Sequence, residues 1–182
     1  MANLHTFQAV DELLAHLEQL ATMPSIDVDR GTELDHGLQC AALLERARPD
    51  DIELHVAGLV HDLAHPWDEA GQPRHAAMGA AAVRGLLGER VAALVRGHVP
   101  AKRYLVAVNP DYFAMLSDDS VMTLRAQGGA MSDAEVHDFE AQDHWEAMVE
   151  LRMADEGAKV AGAVVPDLDH WRDHIRAVAA HH

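Results

Sequence analysis

The apolar run Val56-Ala57-Gly58-Leu59-Val60 leads straight into His61 and Asp62. Ionisable side chains in such a stretch cost free energy unless they are paired or bind a metal. This junction therefore constrains the fold more than any other: other elements must bring partners to it. Neighbouring residues on a helix point about 100° apart, so the two side chains can wrap one ion, or the carboxylate can bridge two. Taken alone, the pair reads equally well as a contact on a helix surface. The choice depends on whether the rest of the chain supplies further ligands.

The totals narrow the setting. A chain of 182 residues is long enough for one domain with a real core, so residues 1–182 are read as a single unit. A formal charge of -16 argues against nucleic acid and anionic membranes as partners. No apolar run reaches the ~20 residues of a membrane span. The stretch Met1-Ala2-Asn3-Leu4-His5 lacks the basic and apolar regions of a signal peptide, so a cytoplasmic location is expected. The one cysteine, Cys40, excludes an internal disulfide framework and is expected to be a buried small hydrophobe. Histidines number 14, a count high enough to direct attention to metal ligation; His181 and His182 at the end are set aside.

Hydrophobic spacing is helical throughout. Phe7, Val10, Leu13, Leu14, Leu17 and Leu20 predict a first helix with Thr6 as its N-cap. Leu34, Leu38, Ala41, Ala42 and Leu44 predict a second, ending before Pro49. The His-Asp helix is expected from about Asp51 to His65, ending at Pro66. Pro73 is expected to open a helix that stops at Gly88, and the next, Glu89 to His98, to be broken by Pro100. Ser117 caps a segment ending at Gly128-Gly129, and Ser132 with Glu135 has the capping-box pattern. A long helix is predicted from about Gln142 to Val160, and a last one after Pro166. No alternation of period two persists, which points to an all-α fold.

Candidate ligands are spread over these helices: His36 before the His-Asp pair, His75 and His98 after it, and Asp155 late in the chain. Such a nitrogen and carboxylate mix suits iron, manganese or zinc. Ser120, Thr123 and Gln127 recur at i, i+3 and i+7 and share one helix face. Arg152, Asp155 and Lys159 repeat that spacing, setting a guanidinium beside a candidate ligand, where it can hold an anion or pair with Asp155 or Glu156. Lys102, four residues after His98, can serve the same pocket.

The order His36, His61-Asp62, Asp155 resembles the signature of the HD-domain superfamily of all-helical metalloproteins, mostly phosphohydrolases. Within it the chain is similar to the mixed-valent di-iron oxygenases of organophosphonate breakdown, relatives of inositol oxygenase. The resemblance covers about residues 33–160. It rests on Leu34-Asp35-His36-Gly37-Leu38-Gln39-Cys40-Ala41, His98-Val99-Pro100-Ala101-Lys102-Arg103-Tyr104-Leu105, Gln127-Gly128-Gly129-Ala130-Met131-Ser132, and Leu151-Arg152 through Asp155 to Lys159. It implies an HD-domain helical bundle with one iron on His36, His61, Asp62 and Asp155, and a second on His75 and His98 with Asp62 bridging. It also implies a phosphonate clamp of Lys102, Ser120, Thr123, Gln127 and Arg152. His65, four residues after His61, faces the same side of its helix and is expected to contact substrate. Gln39, on the His36 face, is a further substrate-binding candidate acting from behind the ligands, and Lys159 is expected to orient Asp155. Aminoethyl-type members carry a tyrosine and a glutamate upstream of the first histidine. Here that loop, Ser25-Ile26-Asp27-Val28-Asp29-Arg30-Gly31, has no tyrosine; Asp29 stands in for the glutamate, with Asp27 next.

The activity this implies is O2-dependent cleavage of the C–P bond in a small 1-hydroxy-alkylphosphonate with an amino or trimethylammonio tail, releasing phosphate. Asp62, His65, Lys102 and Arg152 would be the residues at the reaction. The rival reading is a metal phosphohydrolase, in which a bridging Asp62 serves a metal-bound hydroxide. A non-catalytic metal-binding protein is disfavoured because all six expected ligands are present.

Overall fold

The computed structural model describes residues 5–25, 31–68 and 74–182, and every regular element among them is helical apart from one isolated bridge between Pro24 and Thr32. The helices are α1 (Val10–Leu20), α2 (Glu33–Ala47), α3 (Ile52–Val60), α4 (His75–Val108), α5 (Tyr112–Met115), α6 (Asp118–Ala126), α7 (Asp133–Glu140), α8 (Trp145–Gly157) and α9 (Leu168–Ala179). The protein is thus all-α, as expected. No helix among the described residues is long and apolar enough to cross a membrane.

The centre of the bundle is the antiparallel pair α2 and α3, across which α4 and α8 pack, with α9 against α3. Thr32 and Asp35 close a capping box at the start of α2, and Asp51 caps α3 by accepting from the Leu54 amide at 3.1 Å. Gly37 sets how near the pair can come. A Cβ built there would lie 2.5 Å from the Leu59 carbonyl oxygen, closer than any side chain tolerates against rigid backbone. Without that Cβ, α2 and α3 touch backbone to side, and the residues flanking the contact, His36 and His61, face one another. Cys40 is fully buried beside them, and burial pushes its thiol up to about 12. It is packing, not reactive chemistry.

Several boundaries differ from the sequence reading, each for a local reason. Thr6 is no cap: the Phe7 amide bonds the Ala82 carbonyl of α4 at 3.0 Å, which keeps the chain extended until Ala9. The His-Asp pair lies past the end of α3, not within it. From Val60 the chain tightens into i→i+3 bonds, Leu63 N–H to Val60 O at 3.2 Å and His65 N–H to Asp62 O at 3.0 Å, then a 3-10 turn over His65–Trp67. Pro66 explains this, because its ring disfavours helical backbone in the residue before it. Trp67 anchors the turn, stacked on His5 at 4.5 Å and tilted against His16 at 4.9 Å.

In α4 the expected break at Gly88 is a kink (φ 84°, ψ 174°), whereas Pro100 does not end the helix. Burial of Ala101, Lys102, Tyr104 and Leu105 holds the turn after the proline in place. Pro73 lies outside the described residues. Ser117 caps α6 and Ser132 with Glu135 closes the capping box of α7, as expected. Helix α8 is shorter than expected. It starts after a left-handed His144 (φ 65°) and stops at Ala158, whose carbonyl accepts a hydrogen bond from the ring of His36.

Gly37→Ala is expected to destabilise the fold by about 1–3 kcal/mol, the usual cost of overpacking a tight contact. It should also weaken metal binding by separating His36 from His61. Urea unfolding of metal-free protein measures the first effect, and metal content after dialysis the second.

Candidate metal centre

Five segments converge on Asp62. His36 comes from α2, His61 from the end of α3, His65 from the turn, His75 and His98 from α4, and Asp155 from α8. The six expected ligands fall into two groups that share Asp62: His36, His61, Asp62 and Asp155, and Asp62, His75 and His98. Within each group the ligating atoms lie within 4.8 Å of one another. The two carboxylate oxygens divide between the groups. Oδ2 faces His61 Nε2 at 3.1 Å and His36 Nε2 at 3.6 Å; Oδ1 faces His98 Nε2 at 3.4 Å and His75 Nε2 at 3.5 Å. Asp155 Oδ1 completes the first group, 3.2 Å from His36 Nε2 and 3.7 Å from His61 Nε2.

The outer ring nitrogens settle which way the inner ones face. His36 Nδ1 bonds the Ala158 carbonyl at 2.9 Å, His61 Nδ1 bonds Gly58 O at 2.8 Å, and His98 Nδ1 bonds Val95 O at 2.7 Å. A ring that donates Nδ1–H to a carbonyl presents an Nε2 lone pair to the interior, the tautomer a metal requires. Lone pairs aimed at carboxylate oxygens repel unless a cation lies between them. His61 Nε2 and Asp62 Oδ1 are in fact buried without a hydrogen-bond partner. These orphaned atoms and the nitrogen and oxygen donor set fit a pair of transition-metal ions.

Electrostatics agree. Burial pushes His98 down to about 3 and His75 down to about 4, so both are neutral at pH 7. Burial disfavours the charged form of Asp62, but the surrounding imidazoles outweigh it; for Asp155 the Arg152 guanidinium does the same. Both carboxyls are held well below their usual range. Burial also opposes charging of His61, yet Asp62 draws its ring toward the protonated form. The position demands a positive charge, which a proton or a metal ion can supply. His65 is held at about 9, with Asp62 and Glu33 offsetting burial; its Nδ1 pairs with Glu33 Oε2 at 3.0 Å and its Nε2 lies 3.4 Å from Asp62 Oδ1.

The polar residues beside the centre are more committed to one another than their spacing suggested. Arg152 donates from Nε to Tyr112 Oη at 2.7 Å, and from its two terminal nitrogens to Asp155 and Glu156, with Ser120 Oγ at 3.5 Å. Lys159 donates to Ser120 Oγ and Glu156 Oε1, both at 2.9 Å, and to Ser117 Oγ at 3.3 Å. Lys102, itself buried, donates to Thr123 Oγ1 at 2.9 Å, and the threonine hydroxyl passes on to the Asp119 carbonyl at 3.0 Å. Gln127 Oε1 is buried and unpartnered. Gln39 accepts the Val160 amide at 3.1 Å and so ties down the chain just after α8. Asp27 and Asp29 lie outside the described residues.

Sequence reasoning missed Glu33, Tyr112 and Asp68, and treated Glu156 only as an incidental partner. Asp68 Oδ2 caps the α4 terminus through the His75 amide at 2.8 Å and lies 3.7 Å from His75 Nδ1. Glu33 had a legible signal, one turn before His36. Tyr112 had none, because its partner Arg152 is remote in sequence, and Asp68, though close to His75 in the chain, lies on a different element from it.

An all-helical scaffold around a shared carboxylate and converging imidazoles has the donor set of a metalloprotein. No protein-family model matches the chain. It is 38% identical over 159 residues (82% of this chain, 79% of the relative) to a hydroxymethylphosphonate dioxygenase of Gimesia maris. It is 32% identical over 160 residues (83% of this chain, 81% of the relative) to a (1-hydroxy-2-(trimethylamino)ethyl)phosphonate dioxygenase, glycine-betaine-forming, of Leisingera caerulea. The chain belongs to this family of phosphonate dioxygenases.

Adding Fe2+ to metal-stripped protein is expected to raise its melting temperature by several degrees, since a ligand that binds only the folded state stabilises it. The shift should be largely lost in Asp62→Asn. It should also shrink as pH falls, because the ion must displace the proton that His61 holds. Equal shifts in parent and variant would mean that the cluster is only a hydrogen-bonded core.

Proposed function

We propose that the protein is a di-iron, O2-dependent enzyme of HD-domain type that cleaves the C–P bond of a small 1-hydroxyalkylphosphonate. The observation that carries this reading is the division of the Asp62 oxygens between two sets of imidazoles, in a chain whose relatives are named as hydroxyalkylphosphonate dioxygenases. His36, His61, Asp62 and Asp155 would hold one iron, and His75 and His98 the other, with Asp62 between them. Bound iron would supply the coordination positions and electrons through which O2 is brought onto the substrate. Overall, the carbon bearing phosphorus loses one hydrogen and its C–P bond and leaves as a carboxylate. Phosphorus leaves as phosphate, and both oxygen atoms of O2 are consumed. For hydroxymethylphosphonate the products are formate and phosphate.

The side chains bind and orient. The donors of Arg152 are taken up by Asp155, Glu156 and Tyr112, so its task is to hold Asp155 at the proper angle. That leaves Lys102 as the cation for the phosphonate, steadied by Thr123, with Gln127 as a second polar contact. Ser120 belongs to the network that places Arg152. His65, braced by Glu33, faces the Oδ1 side of Asp62, where it can contact the substrate. For the tail of the substrate, the family resemblance carries over Asp29, with Asp27 next, as the carboxylate.

Iron-loaded protein given O2 with hydroxymethylphosphonate or its trimethylammonio-ethyl relative should consume oxygen and release phosphate in equal amounts. Phosphate-ester hydrolysis without oxygen uptake on any phosphonate would overturn the reading. Lys102→Met should raise KM by about 10- to 150-fold, the worth of a charged hydrogen bond, whereas Arg152→Lys should act mainly on kcat and iron retention. Burial, with Arg152 nearby, brings Lys102 down to about 8. Its charge, and with it affinity for the phosphonate, should therefore fall as pH rises past that value.

A further inference from the structure

Far from Asp62 in the chain, α9 carries His170 and His174 four residues apart, on one face. Glu45 of α2 reaches across to both. Its Oε1 lies 3.2 Å from His170 Nε2 and 3.8 Å from His174 Nε2, and the three ligating atoms form one cluster within 4.8 Å. Neighbouring donors around tetrahedral Zn2+, with bonds near 2.0–2.1 Å, are about 3.3 Å apart; the 3.2 Å and 3.8 Å separations bracket that spacing, the shorter one also serving as a His170–Glu45 hydrogen bond. The His174 ring is held on three sides: its Nδ1 bonds the His170 carbonyl at 3.4 Å, the fully buried His55 ring lies at 5.9 Å and Trp171 at 5.1 Å. With its Nδ1–H donated to that carbonyl, the ring presents an Nε2 lone pair to Glu45. His170 is exposed, so solvent reaches the cluster and water could supply a fourth ligand.

We propose that Glu45, His170 and His174 form a second divalent-cation site, separate from the Asp62 centre, that takes Zn2+ and fastens the C-terminal helix α9 to α2. Two imidazoles and a carboxylate suit a borderline cation such as Zn2+ and are too nitrogen-rich for Ca2+ or Mg2+. Its role is structural, since the ion would join two elements that otherwise share a few side-chain contacts.

The test uses iron-loaded protein, with Co2+ as the visible probe. Cobalt uptake, its ligand-field absorption, iron content and phosphate release are followed together. The expected result is one equivalent of Co2+ bound with the intense bands of a tetrahedral site, displaced by Zn2+, with iron content and turnover unchanged. His174→Ala should weaken that uptake at least tenfold and Glu45→Gln by a similar factor, both with unchanged helical circular dichroism. Uptake matched by loss of iron, uptake that persists in the His170→Ala/His174→Ala double variant, or uptake abolished by changing His181 and His182 alone would each overturn the proposal, as would no uptake at all.

Discussion

A carboxylate buried among imidazoles is the interaction on which the structure turns. Asp62 is 14% exposed at its side chain, and five histidines crowd its two oxygens. Three of those rings donate their only neutral-form proton outward, to Ala158, Gly58 and Val95. The neutral rings turn their lone pairs toward the two carboxylates, whose charge is offset by His65 and Arg152 and by whatever proton or cation His61 meets. Such a centre suits metal binding, and the energy a bound ion contributed would be folding energy as well as binding energy. The near contact of α2 and α3 at Gly37 brings His36 to His61, and the carbonyl that ends α8 orients His36 in return.

Around that centre lies a second layer in which charges are matched in pairs. Arg152 and Lys159 are set against Asp155 and Glu156, with Tyr112, Ser117 and Ser120 filling the remaining bonds. Such a network holds Asp155 rigidly but spends most of its positive charge internally. Lys102 is different. It is buried against a threonine hydroxyl and has no carboxylate within hydrogen-bonding distance among the described residues. The same low dielectric that lowers its affinity for a proton strengthens its attraction for an arriving anion. The contrast is why the two basic residues, with similar sequence credentials, are proposed for different tasks.

Much of the architecture was legible from spacing alone. Helical periodicity with no alternation of period two gave an all-α chain, and the caps at Ser117 and Ser132 were right, because caps and periodicity are local properties of a few residues. Boundaries failed where something remote intervened: Phe7 bound to Ala82, the turn after Val60, and α4 continuing through Pro100 because its far side is buried. The identities of the candidate ligands were legible too, since imidazoles and carboxylates in apolar helices are few and the resemblance ordered them.

What the sequence by itself determined, then, was the helical class and the short set of groups able to bind metal. Periodicity reports which face of each helix is apolar, and chemistry reports which side chains can ligate. Only the tertiary structure decided that Asp62 turns one oxygen to each group, that His65 leans on Glu33, that Arg152 is absorbed by Asp155 and Glu156 while Lys102 is not, and that Glu45 meets His170 and His174. Each of those depends on distances of a few ångströms between helices separated by tens of residues. Spacing along a chain carries no information about such distances, because they are set by how closely the helices pack.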